Sequence, residues 1–284
     1  MRLLLTGAAG FTGRHIADAA QRAGFEVCCV QSNITDAPAL AAEVARFAPT
    51  HVVHLAAISA VTHADEMAFY QVNMLGTANL LKALSTLPNA PSKVLLASSA
   101  NVYGNCDQSP IAETQPPAPV NHYAISKLAM EHVARMFADK LPVVTVRPFN
   151  YTGVGHDDRF VIPKLVDHFA RRAPQVELGN LEVEREFNDV RMVVDAYLRL
   201  LVSGQAGERY NVCTGRPVAL QEVLQTLTAL TGHSMAVVVN PAFVRPNEIR
   251  RLCGSPAKLI AAIGPLQEYA LADTLQWMLD AAGT

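Results

Sequence analysis

Aromatic residues make up only 6% of this 284-residue chain, with a single tryptophan, so its core must be built from aliphatic side chains. No apolar run reaches the length needed to span a bilayer. The net charge is −2, too even a balance for bulk attraction to nucleic acid or an anionic membrane. Any phosphate site must come from local Arg and Lys. The five cysteines, Cys28, Cys29, Cys106, Cys213 and Cys253, show no C-x-x-C spacing. The opening MRLLLTG is too short for the apolar part of a signal peptide. Together these predict reduced thiols and a cytoplasmic protein. No zinc-type spacing is present, and no metal is expected. His51, His54 and His63 are close in sequence, but His54 sits inside a strand pattern and reads as a packed core histidine. Internal repeats and low-complexity linkers are missing too.

What is present is an apolar half (50%) with 17% charged residues, the balance of a compact fold. The stretch Leu3–Arg14, LLLTGAAGFTGR, organises it. A short apolar strand runs into Gly7, Gly10 and Gly13, and a helix opens at Phe11 and Thr12. Gly7 suits the sharp turn, Gly10 the close approach of a diphosphate, and Gly13 the packing of helix on sheet. The helix N-terminus offers free N–H groups and a positive dipole end to phosphates. The alternative is a glycine-rich turn without a ligand; position after the first strand favours the phosphate site.

Strands follow at Glu26–Val30, His51–Ala57, Lys93–Ala97 and Val143–Arg147, alternating with helices at Pro38–Phe47, Met67–Leu84 and Tyr123–Lys140. That alternation predicts an α/β fold of Rossmann type, a doubly wound parallel sheet. After Asn150 the pattern becomes irregular. Pro148–Asp158 reads as a loop and Val176–Phe187 as short strands. We expect a dinucleotide-binding domain over 1–150 plus about 189–215. A smaller C-terminal substrate-binding lobe is expected over 151–188 plus 216–284. The second strand ends in Gln31-Ser32-Asn33, with no carboxylate to hold the adenosine ribose hydroxyls, which removes one argument for NAD. Arg14 either faces a ribose 2′-phosphate or is a solvated first-turn residue.

Tyr123-Ala-Ile-Ser-Lys127 carries the chemistry. Four residues apart on a helix, Tyr and Lys share a side. A free phenol titrates near ~10 and stays protonated at neutral pH. A neighbouring ammonium is expected to lower that value and make Tyr123 a usable acid or base. Ser98 and Ser99 end the fourth strand, where ligands of such sheets bind.

These residues resemble the extended short-chain dehydrogenase/reductase family that acts on nucleotide sugars. The marks are TGAAGFTG, HLAA (His54–Ala57), VNMLGT (Val72–Thr77), SSANVYG (Ser98–Gly104), YAISK and RPFN (Arg147–Asn150), and they cover nearly the whole chain. The resemblance implies a catalytic Ser99, Tyr123 and Lys127. It places Asn33 and Ile34 near the adenine, with Asn where the family has Asp. Leu55, Ala56, Ala57, Asn73 and Pro148 would line the cofactor. NADPH or NADH is implied, with NADPH favoured. The chain is shorter than the usual pattern before SNITD, beside the adenosine ribose.

Dehydratases of the family carry an acidic pair after the catalytic hydroxyl; here Ala100 and Asn101 stand there, which argues for a ketone reductase or an epimerase. RPFNYTGVG, LGNLEVEREFNDVR, YNVCTG and VRPNEIRRLCGSPAKL resemble the branch acting on GDP-linked 4-keto-6-deoxyhexoses. That branch implies reduction of GDP-4-keto-6-deoxy-D-mannose to GDP-D-rhamnose. Arg185 and Arg245 would hold the diphosphate with Ser98, Asn150, Gly179, Asn180 and Glu248 nearby. For Arg185 the alternative is a surface ion pair among its glutamates. A 4-epimerase, a dTDP-4-keto-sugar reductase and a non-catalytic cofactor sensor are the rival readings. The resemblance also implies a homodimer through the helices Met67–Leu84 and Tyr123–Lys140.

Overall fold

A computed structural model describes residues 1–59, 64–243 and 249–283. Strand β1 (Arg2–Thr6) leads through the glycine turn into α1 (Phe11–Arg22), then β2 (Glu26–Cys29), α2 (Ala37–Phe47) and β3 (His51–His54). A long helix follows: α3 (Glu66–Phe69), a π-helical stretch over Tyr70–Gly76, and α4 (Thr77–Ser85). Next come β4 (Lys93–Ala97), a 3₁₀ turn (Ala100–Tyr103), α5 (His122–Arg135) and β5 (Val143–Pro148).

The strands alternate their side chains between two faces, as the period-2 geometry of a strand requires. Leu3 and Leu5 pack with Ile16 and Ala20 of α1, whereas Leu4 packs with Leu40 and Val44 of α2. Buried on both faces, the strands are near-continuous aliphatic runs, and all neighbours in this sheet are parallel.

The chain continues with β6 (Tyr151–Thr152), α6 (Val161–Ala170), β7 (Gln175–Leu178), β8 (Glu184–Arg185), β9 (Asn188–Asp189) and α7 (Val190–Ser203). Then follow β10 (Arg209–Val212), β11 (Val218–Ala219), α8 (Leu220–Thr231), β12 (Ala236–Val239), β13 (Arg251–Leu252), α9 (Ala257–Ile263) and α10 (Leu271–Ala282). The six-stranded sheet has the order β10-β5-β4-β3-β1-β2. Helix α7 covers the same face as α1. A separate core joins α6, α8 and α10 to β7 and β12.

Three expected elements are trimmed. The third strand stops at His54 because the N–H groups of Leu55 and Ala56 turn to the Thr6 hydroxyl (3.2 and 3.1 Å). The helix from Tyr123 ends at Arg135, with turns to Lys140. The 148–158 loop contains β6, which pairs in parallel with β9.

Candidate active site

The glycine turn shows its physical need at two positions. Gly7 has φ +71°, and a Cβ there would meet Ala56 N at 2.7 Å. A Cβ on Gly13 would sit 2.1 Å from Gly7 O. Gly10 caps α1, its N–H donating to Gly7 O (3.1 Å). The first turn of α1 carries no acidic residue, so its N–H groups and dipole face the end of β1 uncompensated.

Behind this turn, His54 is buried between two threonines, Nδ1 2.7 Å from Thr6 Oγ1 and Nε2 2.8 Å from Thr77 Oγ1. Thr77 donates to Asn73 O (2.6 Å), so its oxygen accepts from Nε2–H, and Nδ1 accepts from Thr6. One tautomer satisfies every group. Burial, with the Lys127 charge adding to it, pushes His54 down to about 3, so the ring is neutral. It is a core histidine.

Asn121 caps α5, its Oδ1 accepting from Ala124 N (2.9 Å), and so places Tyr123 in the first turn. Ser99, at the end of β4, caps the 3₁₀ turn and accepts from Asn101 N (3.2 Å). Its side chain lies close enough to the Tyr123 phenol to favour the ionised form. Lys127, one turn along α5, donates Nζ to Ala97 O (2.8 Å). Ser99, Tyr123 and Lys127 are exposed by only 6%, 8% and 4%, so the three meet in a nearly dry place.

Burial pushes Tyr123 up to about 12, against the pull of Ser99, and the nearby Tyr151 adds to the rise. Burial also lowers Lys127 to about 8, against the pull of Glu131. The expected lowering of Tyr123 by Lys127 is therefore corrected: the ammonium is held by Ala97 O, and the phenol stays protonated.

The other predicted residues divide. Phe11 stacks on His156 (4.4 Å between ring centres) and on Tyr151 (5.9 Å), and Thr12 shares a hydrogen bond with the Tyr151 hydroxyl (2.7 Å). Pro148 closes β5 beside Val212. Asn73 clamps the loop after β3, its carboxamide bonding Ile58 N (2.8 Å) and Ile58 O (3.1 Å). Ile34 is buried against Gly76. Asn33 spends its carboxamide oxygen on Thr35.

Arg14 donates to Ala9 O (3.0 Å) and Gly155 O (2.9 Å). The Ser98 hydroxyl donates to Glu131 (2.6 Å). Arg185 donates to the carbonyls of Glu184, Ile249 and Arg250. Asn150 receives Asn188 on its carbonyl, Gly179 packs on the Phe243 backbone, and Asn180 accepts Glu182 N. Arg245 and Glu248 lie outside the described residues.

Glu131, Glu186 and Glu43 are among the buried carboxylates that no sequence pattern had marked. Glu131 pairs with Arg147 (2.6 Å). Glu186 gathers Gly254 N (2.6 Å), Thr214 N (2.7 Å) and Gly215 N (3.1 Å). Glu43 reaches from α2 to the end of β2. Glu43 and Glu131 each stand at a core-facing step of a helix, beside Leu40 and Val44 or Met130 and Ala134. A lone carboxylate on an apolar face was the available signal.

The arrangement fits a dinucleotide. Two glycine cradles that a Cβ would fill lie at the open end of α1. The buried Tyr197 hydroxyl has no hydrogen-bond partner among the described residues and lies within electrostatic reach of Tyr123 and Tyr151. The family model for the NAD dependent epimerase/dehydratase family matches residues 3–213. The chain belongs to this epimerase/dehydratase family. Among relatives it is 34% identical over 269 residues to GDP-6-deoxy-D-talose 4-dehydrogenase of Aggregatibacter actinomycetemcomitans, covering 93% of this chain and 92% of the relative. It is 35% identical to GDP-6-deoxy-D-mannose reductase of Pseudomonas aeruginosa over 293 residues, 98% of this chain and 96% of that one. The solved structure of RMD from Pseudomonas aeruginosa complexed with NADPH superposes with a TM-score of 0.92 at 33% identity, covering 99% and 98% of the two chains. This family member shares their α/β architecture along its whole length. No helix among its described residues is long and apolar enough to cross a membrane.

Proposed function

We propose that this protein is an NAD(P)H-dependent oxidoreductase that reduces the C4 ketone of a GDP-linked 4-keto-6-deoxyhexose, GDP-4-keto-6-deoxy-D-mannose, to GDP-D-rhamnose. The observation that carries it is the buried, protonated Tyr123, with Ser99 and Lys127 buried alongside. Reduction of a ketone needs a proton for the oxygen, and burial keeps the Tyr123 phenol protonated, so that it carries one to give to the strongly basic alkoxide. Ser99 orients the carbonyl oxygen. Lys127, held by Ala97 O, adds positive charge beside the forming alkoxide and would hold the nicotinamide ribose. The glycine turn with Thr12 would hold the diphosphate. When bound, the dinucleotide supplies the hydride. The absence of a carboxylate at Ala100 and Asn101 argues against dehydration. Both named GDP-sugar relatives support the nucleotide and the 6-deoxyhexose. We place Arg185 and Arg245 at the nucleotide diphosphate, and two copies of the chain in the working enzyme.

The test mixes purified protein, NADH or NADPH, and GDP-4-keto-6-deoxy-D-mannose, follows nicotinamide absorbance, and identifies the sugar by NMR. Stoichiometric oxidation with GDP-D-rhamnose as product is expected. GDP-6-deoxy-D-talose instead would keep the reaction and reverse the C4 stereochemistry. Nucleotide-sugar interconversion without net oxidation would replace the reading with an epimerase.

A further inference from the structure

In a doubly wound sheet the adenosine ribose lies at the end of the second strand, where a carboxylate suits two hydroxyls and a cation suits a 2′-phosphate. At the end of β2 the residues are Gln31, Ser32 and Asn33, and none is charged. The structure brings the charge from elsewhere. Glu43, on the buried side of α2, accepts from Gln31 N (3.0 and 3.3 Å to its two oxygens), from Ser32 N (3.0 Å) and from the Ser32 hydroxyl. Burial opposes ionisation, but the bonds from Ser32 and Gln31 outweigh it and hold the Glu43 carboxyl below its ordinary value.

Two successive backbone N–H groups and a hydroxyl form an anion-binding set of the kind phosphates take. Here the protein's own carboxylate fills it. Neither Arg14 nor Arg46 makes a hydrogen bond to Glu43 among the described residues. Arg14 is committed to the Ala9 and Gly155 carbonyls. Arg46, one turn along α2, is exposed; its charge helps keep Glu43 ionised but does not take over the Gln31 and Ser32 donors.

We propose that Glu43 is a specificity-determining residue that selects NADH over NADPH, by occupying and charging the donor set that a ribose 2′-phosphate would need. This rests on the crevice being a dinucleotide site, and it sets this chain apart from RMD, which is solved with NADPH. It also departs from the NADPH preference that the family resemblance implies.

The test is equilibrium binding of NADH and NADPH to the purified protein without sugar, read by calorimetry. Wild type should bind NADH at least about tenfold more tightly, the effect of one like charge at close range. Glu43→Gln keeps the size and removes the charge. It should narrow the ratio about tenfold, chiefly by tighter NADPH binding. Equal or tighter NADPH binding by wild type overturns the proposal, as does an unchanged ratio in a variant with a wild-type melting profile. Should the variant fail to fold, wild type decides alone: its preference for NADH must shrink as salt screens the repulsion, and a ratio flat with salt overturns the idea. Failure of both nucleotides to bind would instead overturn the reading of the crevice itself, and the selection with it.

Discussion

Tyr123 works because of what surrounds it rather than what precedes it in the chain. Replacing it by Phe keeps the ring against Phe69 and removes only the proton. Turnover should fall by roughly 10²–10⁴-fold while cofactor affinity stays close to wild type; single-turnover kinetics with a binding titration checks both. Lys127 gives a second signature. Its folded value of about 8 lies below the ordinary 10.5, so between these the unfolded chain holds a proton that the folded one has lost. Stability therefore rises with pH in that window, by about 1.4 kcal/mol per unit between pH 8 and 10. Lys127→Met should lose this slope in urea titrations, read most cleanly between pH 8 and 9, below the range near 10 where the unfolded Tyr123 phenol begins to lose its proton and adds an opposing slope. The Tyr-x-x-x-Lys spacing made these two side chains legible in the sequence. The choice between Ser98 and Ser99 was not, because adjacent residues at a strand end point to opposite sides, and a dipeptide of two serines does not say which is which. Ser98 bonds to the Glu131–Arg147 pair, whereas Ser99 lies towards Tyr123.

The strands and helices of the large sheet were readable because each repeats a pattern over several residues, aliphatic alternation in β1 or a buried stripe in α2. What escaped was short or long-range. The two-residue strands β6 and β9 are too brief for periodicity and find each other across 36 residues of chain. The π-helical turn at Tyr70–Gly76 has no composition of its own; it sits where Asn73 must reach Ile58 and Thr77 must reach His54. That last contact ties three elements, β1, β3 and α4, through one neutral ring. Protonation would put a second N–H against Thr6, whose oxygen already serves Leu55 and Ala56. The folded value of about 3 lies below the ordinary 6.5. As pH falls below 6.5 the unfolded chain gains a proton that the folded chain refuses, so stability drops with acidity, by about 2 kcal/mol between pH 6.5 and 5. His54→Asn should be less stable than wild type at neutral pH, with a shallower loss on acidification; paired denaturant titrations at the two pH values read the difference. A wild-type slope retained in His54→Asn would show that another group carries it.

The molecule is held together across its parts by buried polar contacts rather than by aromatic mass, in keeping with its aromatic-poor composition. Glu186, fully buried, collects backbone N–H groups from the segment after β10 and from Gly254. The first turns of α1 reach the loop after β6 through Thr12, Arg14 and His15. These contacts join segments far apart in sequence, which is why no local pattern announces them. The outer surface carries a different feature. Met67 (61% exposed) and Leu75 (50%) lie on the long helix from Glu66, and Ile125 (39%) and Met136 (77%) lie on or just past α5, which packs beside it. Four large apolar side chains on two adjacent helices are a costly surface for a lone chain and a natural one for a symmetric pair. A second copy related by a two-fold axis would set each helix pair against its twin, in a four-helix contact. Light scattering coupled to size exclusion should therefore give twice the mass of one chain. Ile125→Lys combined with Met136→Lys should halve it, since charges forced into a desolvated apolar contact are costly. Neither side chain belongs to the Ser99–Tyr123–Lys127 group, so the variant should keep its far-ultraviolet circular dichroism and its affinity for dinucleotide even as it dissociates. A wild-type protein that runs as a single chain at the highest soluble concentration would show instead that this apolar face is simply exposed.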